Sequence, residues 1–137
     1  MATQKFTGVI PPVVVPDTED HQLDVASFER SINRMIDAGV DGLFFLGSSG
    51  EVVFSTDERR RQIIAEAVRI VDHRVPVIAG SGTNNTASSI ALSRAAQHAG
   101  ADALLTVTPY YNKASQSGLV RHFSAIADAV DIPIILY

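Results

Sequence analysis

The stretch Gly42-Leu-Phe-Phe-Leu-Gly47-Ser48-Ser49-Gly50-Glu51 decides the fold, because it joins a buried strand to a candidate ligand site. The uninterrupted apolar run from Leu43 to Leu46 is typical of a strand buried on both faces, as in a parallel sheet. The glycines allow a tight turn and a close approach of a ligand to the backbone. Ser48 and Ser49 then offer two hydroxyls and adjacent amides at the carboxyl end of that strand, where α/β folds bind ligands.

Segments that favour strands alternate along the chain with segments that favour helices. Stripes of apolar residues at helical spacing separate the apolar runs. The predicted strands are Gly8 to Val15, Gly42 to Leu46, Val75 to Gly80, Ala103 to Val107 and Pro133 to Tyr137. Their starts recur about every 30 residues, and βα units of that length imply a parallel sheet with right-handed crossovers. Two architectures fit this pattern, an open doubly wound sheet and a (β/α)8 barrel.

Composition and charge restrict the function classes. Hydrophobic residues make up 46% of the chain, which predicts a folded core, and the net charge is −4 with no cysteine. The one basic cluster, Arg59-Arg60-Arg61, follows two acidic residues on a predicted helix. It is interpreted as a solvated helical face, so no nucleic-acid partner is expected.

The sequence shows no signal-peptide, membrane-span or metal-ligand motif. No long apolar signal core follows the N-terminus and no run is long enough to span a membrane, so we expect no membrane partner and a cytoplasmic location. The four histidines have no metal-ligand spacing and are interpreted as surface or helix residues, so no metal is expected.

Three further predicted strands end in polar residues. They end in Ala79-Gly-Ser-Gly-Thr-Asn84, in Thr106-Val-Thr-Pro-Tyr-Tyr-Asn112 and in Tyr137. Each also has a structural interpretation, since such segments form plain turns or helix caps and tyrosines often pack in cores. The dinucleotide-binding fingerprint fails, because Asn85 stands where its third glycine is needed, and this disfavours a nucleotide-binding domain.

Taken together, these motifs resemble those of the dihydrodipicolinate synthase and N-acetylneuraminate lyase family, in the same order and at similar spacing. The segments that carry the resemblance are Gly42 to Glu51, Val75 to Asn84, Thr106 to Asn112 and Ile132 to Tyr137. Thr108-Pro-Tyr-Tyr-Asn112 looks closest to the 4-hydroxy-tetrahydrodipicolinate synthases. The resemblance implies a (β/α)8 TIM barrel. Residues 1–137 would be the N-terminal part of that single domain, covering the first five strands and four helices.

The resemblance implies class I aldolase chemistry without a cofactor. A lysine forms a Schiff base with pyruvate, and the enamine attacks an aldehyde, L-aspartate semialdehyde in the synthase of lysine and diaminopimelate biosynthesis. Ser48 and Ser49 would bind the pyruvate carboxylate. Tyr137 would be the general acid/base. Ser48 would relay protons between Tyr137 and Tyr111, which would reach in from a neighbouring subunit.

The resemblance also implies regulation and assembly. Asn84 and Tyr110 match positions around an allosteric lysine site in some synthases. The family forms homotetramers built as dimers of dimers, so a homo-oligomer is expected.

The lysines depart from the family pattern. The resemblance places the Schiff-base lysine beyond Tyr137, and neither Lys5 nor Lys113 matches it. We therefore expect the 137 residues alone to be inactive, and their open sheet edges to favour dimerisation or aggregation. Two alternatives to the synthase are another pyruvate lyase of the family, for N-acetylneuraminate or 2-keto-3-deoxy sugar acids, and a catalytically inactive half-barrel interaction module.

Overall fold

The computed structural model describes residues 6–137, which form one parallel sheet flanked by helices. The strands are β1 (Leu43–Phe45), β2 (Val77–Gly80), β3 (Ala103–Thr106) and β4 (Ile134–Leu136). The helices are α1 (Val25–Asp37), α2 (Asp57–Val71), α3 (Thr86–Ala99) and α4 (Gln116–Ala127). All strand pairs are parallel, and the order in the sheet is β1-β2-β3-β4. This consecutive order is the one expected of the (β/α)8 barrel that the resemblance implies, and it differs from a doubly wound sheet, whose order reverses.

The first predicted strand is not a strand in the structure, so the sheet has four strands rather than five. Residues 8–15 instead form an extended segment with a single parallel bridge between Pro12 and Phe44. The Val13 amide donates to the Phe44 carbonyl at 2.8 Å, and the Phe44 amide donates to the Pro11 carbonyl at 3.1 Å. Proline has no N–H to donate, so the two adjacent prolines prevent a regular ladder. The segment nevertheless lies beside β1, at the predicted place in the order.

The core lies between the sheet and the helices. Phe28 of α1 and Phe45 of β1 are fully buried, and their rings meet edge to face at 5.7 Å. α1 begins at the cap residue Asp24, whose carboxylate accepts from the Ser27 amide at 3.0 Å. Hydrogen bonds from the Ser27 hydroxyl and amide hold the pKa of Asp24 below its ordinary value. None of the helices within residues 6–137 is both long and apolar enough to cross a bilayer.

Two aspartates make the same contact at the amino end of the sheet. The Asp41 carboxylate accepts from the Val9 amide at 2.7 Å, while the Asp41 amide donates to the Val9 carbonyl at 2.9 Å. The Asp102 carboxylate accepts from the Val77 amide at 2.8 Å, and the Asp102 amide donates to the Val77 carbonyl at 2.9 Å. Both aspartates follow an Ala-Gly turn at a helix end. Each one therefore ties the start of its own strand to the start of the preceding extended segment.

Replacing Asp102 by alanine should lower the free energy of unfolding by about 1–3 kcal/mol, because the half-buried Val77 amide loses its acceptor. Urea denaturation followed by circular dichroism measures the change. Asp128→Ala is the matched control, since that carboxylate is exposed and makes no hydrogen bond within the described residues. Equal stability of the two variants would show that the Asp102 contact contributes nothing.

His122 links α4 to the start of α3. Its ring is buried, its Nδ1 lies 2.9 Å from the Thr86 hydroxyl, and its Nε2 has no partner within residues 6–137. Desolvation by burial lowers the pKa of His122 below its ordinary value of 6.5. Thr86 is the first residue of α3, where the helix dipole also disfavours a positive charge.

The free energy of unfolding should therefore fall as the pH drops through 6.5. The reason is that His122 takes up a proton at a higher pH in the unfolded chain than in the folded protein. The loss should level off below the folded-state pKa, and stability should be greatest above 6.5. Urea titrations between about pH 5 and pH 8 check this dependence. His122→Gln should flatten the curve, whereas His98→Gln removes an exposed imidazole and should leave it steep. A His122→Gln protein with an unaltered pH profile would contradict the assignment.

Candidate functional site

A pocket of about 510 Å³ lies at the carboxyl edge of the sheet. Its walls come from the extended first segment, from the turns that follow β1 and β2, from β3 and its following loop, and from the residue after β4. The lining residues are Pro12, Phe44, Leu46, Gly47, Ser48, Ser49, Val52, Val53, Arg60, Gly80, Gly82, Leu105, Val107, Tyr110 and Tyr137. Most of them are apolar or small. The pocket is therefore an apolar cleft with a few polar groups, which is the usual composition of a small-molecule site.

The turn after β1 presents the two serines to this pocket. Leu46 has a φ of +61°, a left-handed conformation that costs a bulky residue about 1–3 kcal/mol and occurs mostly at functional sites. A short 3-10 turn, Ser48–Gly50, follows it. Ser48 and Ser49 are exposed, and their amides donate to no protein acceptor within residues 6–137. Two adjacent amides and two hydroxyls are thus available, and such a concave set of donors suits a carboxylate.

Close backbone packing holds this turn in place. An added Cβ on Gly80 would lie 2.2 Å from the Leu46 carbonyl oxygen, and one on Gly82 would lie 2.4 Å from the Val107 amide. Only glycine fits at these two positions, where β1, β2 and β3 end side by side. Ser81 lies between them but is buried, and its hydroxyl accepts from Ser93 at 2.9 Å. Ser81 is therefore structural, while Gly80 and Gly82 line the pocket.

Tyr137 also lines the pocket, at the end of β4. Its amide donates to the Thr106 carbonyl at 3.0 Å, and its carbonyl accepts from the Thr108 amide at 2.8 Å. These two bonds fix the Tyr137 backbone beside the end of β3. The side chain is 71% exposed, so its hydroxyl is accessible to a bound molecule.

The loop after β3 separates the two neighbouring tyrosines. Tyr110 is 40% exposed and lines the pocket, whereas Tyr111 is 95% exposed and lies outside it. Tyr111 has a φ of +72°, again a left-handed conformation that is costly for an aromatic residue. Asn84 is exposed and also lies outside the pocket, and Lys113 is exposed. Lys5 falls outside the described residues. The structure thus brings Ser48, Ser49, Tyr110 and Tyr137 together, and leaves Tyr111 and Asn84 apart from them.

The basic cluster on α2 differs from the solvated face that its sequence predicts. Arg59 pairs with Asp17, and Arg61 lies 3.6 Å from Glu58, but Arg60 is only 8% exposed and lines the pocket. The guanidinium Nη2 of Arg60 donates to the Val52 carbonyl at 2.9 Å. The helical period contained the signal, because Arg60 precedes the buried stripe Ile63, Ile64 and Ala67 by three, four and seven positions.

Comparison with known proteins agrees with this architecture. A sequence model of the dihydrodipicolinate synthetase family matches residues 5–137. The 4-hydroxy-tetrahydrodipicolinate synthase of Salinibacter ruber is 51% identical over 96% of this chain and 44% of its own length. The putative 2-dehydro-3-deoxy-D-gluconate aldolase YagE of Escherichia coli is 48% identical over the same shares. The crystal structure of YagE in complex with pyruvate superposes with a TM-score of 0.95 at 48% identity, covering 96% of this chain and 44% of that chain. The chain spans about half the length of the curated relatives it matches.

Gly80→Ala should destabilise the protein by about 1–3 kcal/mol, because the new methyl group meets the rigid Leu46 carbonyl rather than a flexible side chain. Gly118→Ala in α4 is the control. There the new Cβ would lie 3.2 Å from the Ser115 hydroxyl and 3.8 Å from the Ala114 Cβ, both of them side-chain atoms, and alanine is favoured over glycine in a helix by about 0.5–1 kcal/mol. Urea denaturation of both variants measures the difference. A Gly80→Ala protein as stable as Gly118→Ala would refute the close approach.

Proposed function

The chain belongs to the dihydrodipicolinate synthetase family, and from that premise we propose that it forms part of a pyruvate-dependent aldolase-type lyase. Its parallel sheet would be the N-terminal part of a single (β/α)8 TIM barrel. In such a barrel the carboxyl ends of the strands carry the active site. The pocket found at that edge supports this placement.

The observation that carries the proposal is the shared pocket of Ser48, Ser49 and Tyr137. A small 2-keto acid would place its carboxylate on the free amides and hydroxyls of the two serines. Its keto carbon would then lie within the apolar part of the pocket, away from bulk water. The Tyr137 backbone is fixed beside β3, and its exposed hydroxyl would reach the reacting carbon from there.

Tyr137 would act as the general acid/base, with Ser48 as the relay partner. In class I aldolase chemistry a lysine amine forms the Schiff base, and the proton lost and regained at the substrate needs such a group. Tyr111 would complete the relay in the pocket of a neighbouring subunit. Its 95% exposure and its left-handed backbone support a role away from its own pocket, within a homotetramer built as a dimer of dimers.

The Schiff-base lysine would come from residues other than these. Lys113 lies in an exposed loop, whereas an amine becomes nucleophilic at neutral pH through desolvation or a neighbouring cation. Residues 1–137 would therefore supply the carboxylate cradle and the proton relay. Asn84 and Tyr110 would belong to a regulatory lysine site, and the enzyme would work in the cytoplasm.

L-Aspartate semialdehyde is the aldehyde we propose, since a synthase of Salinibacter ruber is 51% identical to this chain. A 2-keto-3-deoxy sugar acid is the second candidate, favoured by the 48% identity to the putative sugar-acid aldolase of Escherichia coli. Parallel assays of pyruvate with L-aspartate semialdehyde and with D-glyceraldehyde distinguish the two. Absence of turnover with either aldehyde would favour an inactive interaction module.

In the complete protein that contains these residues, Tyr137→Phe should lower kcat by about 10²–10⁴-fold with little change in pyruvate affinity. Ser48→Ala should lower both kcat and pyruvate affinity, whereas Ser55→Ala changes a serine outside the pocket and should alter neither. Borohydride reduction with pyruvate should leave the mass of the 137-residue chain unchanged. Full activity of Tyr137→Phe, or an adduct on Lys113, would contradict the proposed roles.

A further inference from the structure

The charge of the pocket has a single source. Among its lining residues Arg60 alone carries a permanent charge, and no aspartate or glutamate lines the pocket. The remaining walls are mostly apolar, with Leu46, Val52, Val53 and Val107 among them. A charge surrounded by such walls acts over a longer distance than one in water, because the local dielectric is low.

This cation has no counter-ion within residues 6–137. Its two neighbours differ in this respect, since Arg59 pairs with Asp17 and Arg61 lies near Glu58. Arg60 is 8% exposed, its Nη2 bonds only the neutral Val52 carbonyl, and its buried Nε has no hydrogen-bond partner. Burial of an ionised group without a counter-ion is unfavourable, so an anion close to the guanidinium would stabilise it.

Arg60 is also anchored to the turn that follows the one carrying the serines. The Val52 carbonyl to which it donates begins the 3-10 turn Val52–Phe54, three residues after Ser49. The guanidinium is therefore held at the wall of the pocket.

We infer that Arg60 supplies the charge that makes the pocket selective for a small monocarboxylate over its uncharged isostere. The Ser48 and Ser49 donors would orient the carboxylate, and Arg60 would compensate its charge through the pocket. This inference rests on the proposed function and adds a specificity-determining residue to it. A purely structural role, in which Arg60 only holds the Val52 turn, would alter affinity for charged and neutral ligands equally.

The test compares the binding of pyruvate and of pyruvamide, its neutral amide, to the complete protein by isothermal titration calorimetry. The unmodified protein should prefer pyruvate by about tenfold or more, the size expected for a hydrogen-bonded charge. Arg60→Gln removes the charge and should abolish most of that preference. Arg60→Lys keeps the charge and should retain most of it. Arg61→Gln, at the exposed neighbour, should change neither affinity.

The outcomes separate the two proposals. If folded Arg60→Gln keeps the preference of the unmodified protein for pyruvate, the inference is wrong while pyruvate binding stands. If the unmodified protein binds neither ligand, the proposed function fails and the inference fails with it. Should Arg60→Gln not fold, Arg60→Met is the second neutral variant, and loss of preference there supports the inference as directly.

Discussion

Consecutive parallel pairing is the constraint on which the pocket depends, because it brings the ends of all four strands to one edge. The contacts run across the sheet in sequence. The Leu46 carbonyl lies against Gly80, Gly82 lies against the Val107 amide, and the Tyr137 amide bonds the Thr106 carbonyl. A shift of one residue in any pair would move a side chain to the opposite face. The positions of Ser48 and Tyr137, at opposite ends of this series, therefore depend on every register between them.

The two edges of the sheet are stabilised by different contacts. At the amino edge, Asp41 and Asp102 each exchange two hydrogen bonds with a neighbouring backbone, in turns whose left-handed positions are occupied by glycine. Left-handed conformations at other residues occur near both edges, at Leu46 and Tyr111 near the carboxyl edge and at Asp72 and His73 in the turn between α2 and β2. Strained residues persist only where surrounding structure fixes them. The satisfied contacts at the amino edge thus stabilise the sheet whose carboxyl edge carries the pocket.

Periodicity predicted most of the fold, and the failures have local physical causes. The helices and later strands follow from apolar spacing, because burial on one stripe or on two faces leaves a regular pattern. The first segment has the apolar content of a strand, but Pro11 and Pro12 cannot donate to a ladder. One pocket contains Ser48, Ser49 and Tyr137. Their sequence positions predict this, because each follows a strand and the carboxyl ends of parallel strands meet at one edge of the sheet. The exposure of Tyr111 depends on the path of an irregular loop, which no sequence period encodes.

Arg60 shows that a run of like-charged residues in the sequence does not predict whether each of its members is exposed. Three consecutive arginines on a helix point in directions about 100° apart, so they cannot share one environment. Arg60 lies on the buried side of α2, in line with Ile63, Ile64 and Ala67, while Arg61 lies on the exposed side. Stability alone does not account for a guanidinium there, since replacing buried ionic groups by well-packed apolar residues is often neutral or stabilising. A carboxylate at the proposed Ser48 and Ser49 site would account for the placement, because an unpaired cation among apolar walls is unfavourable in the empty protein and would become favourable beside an anion.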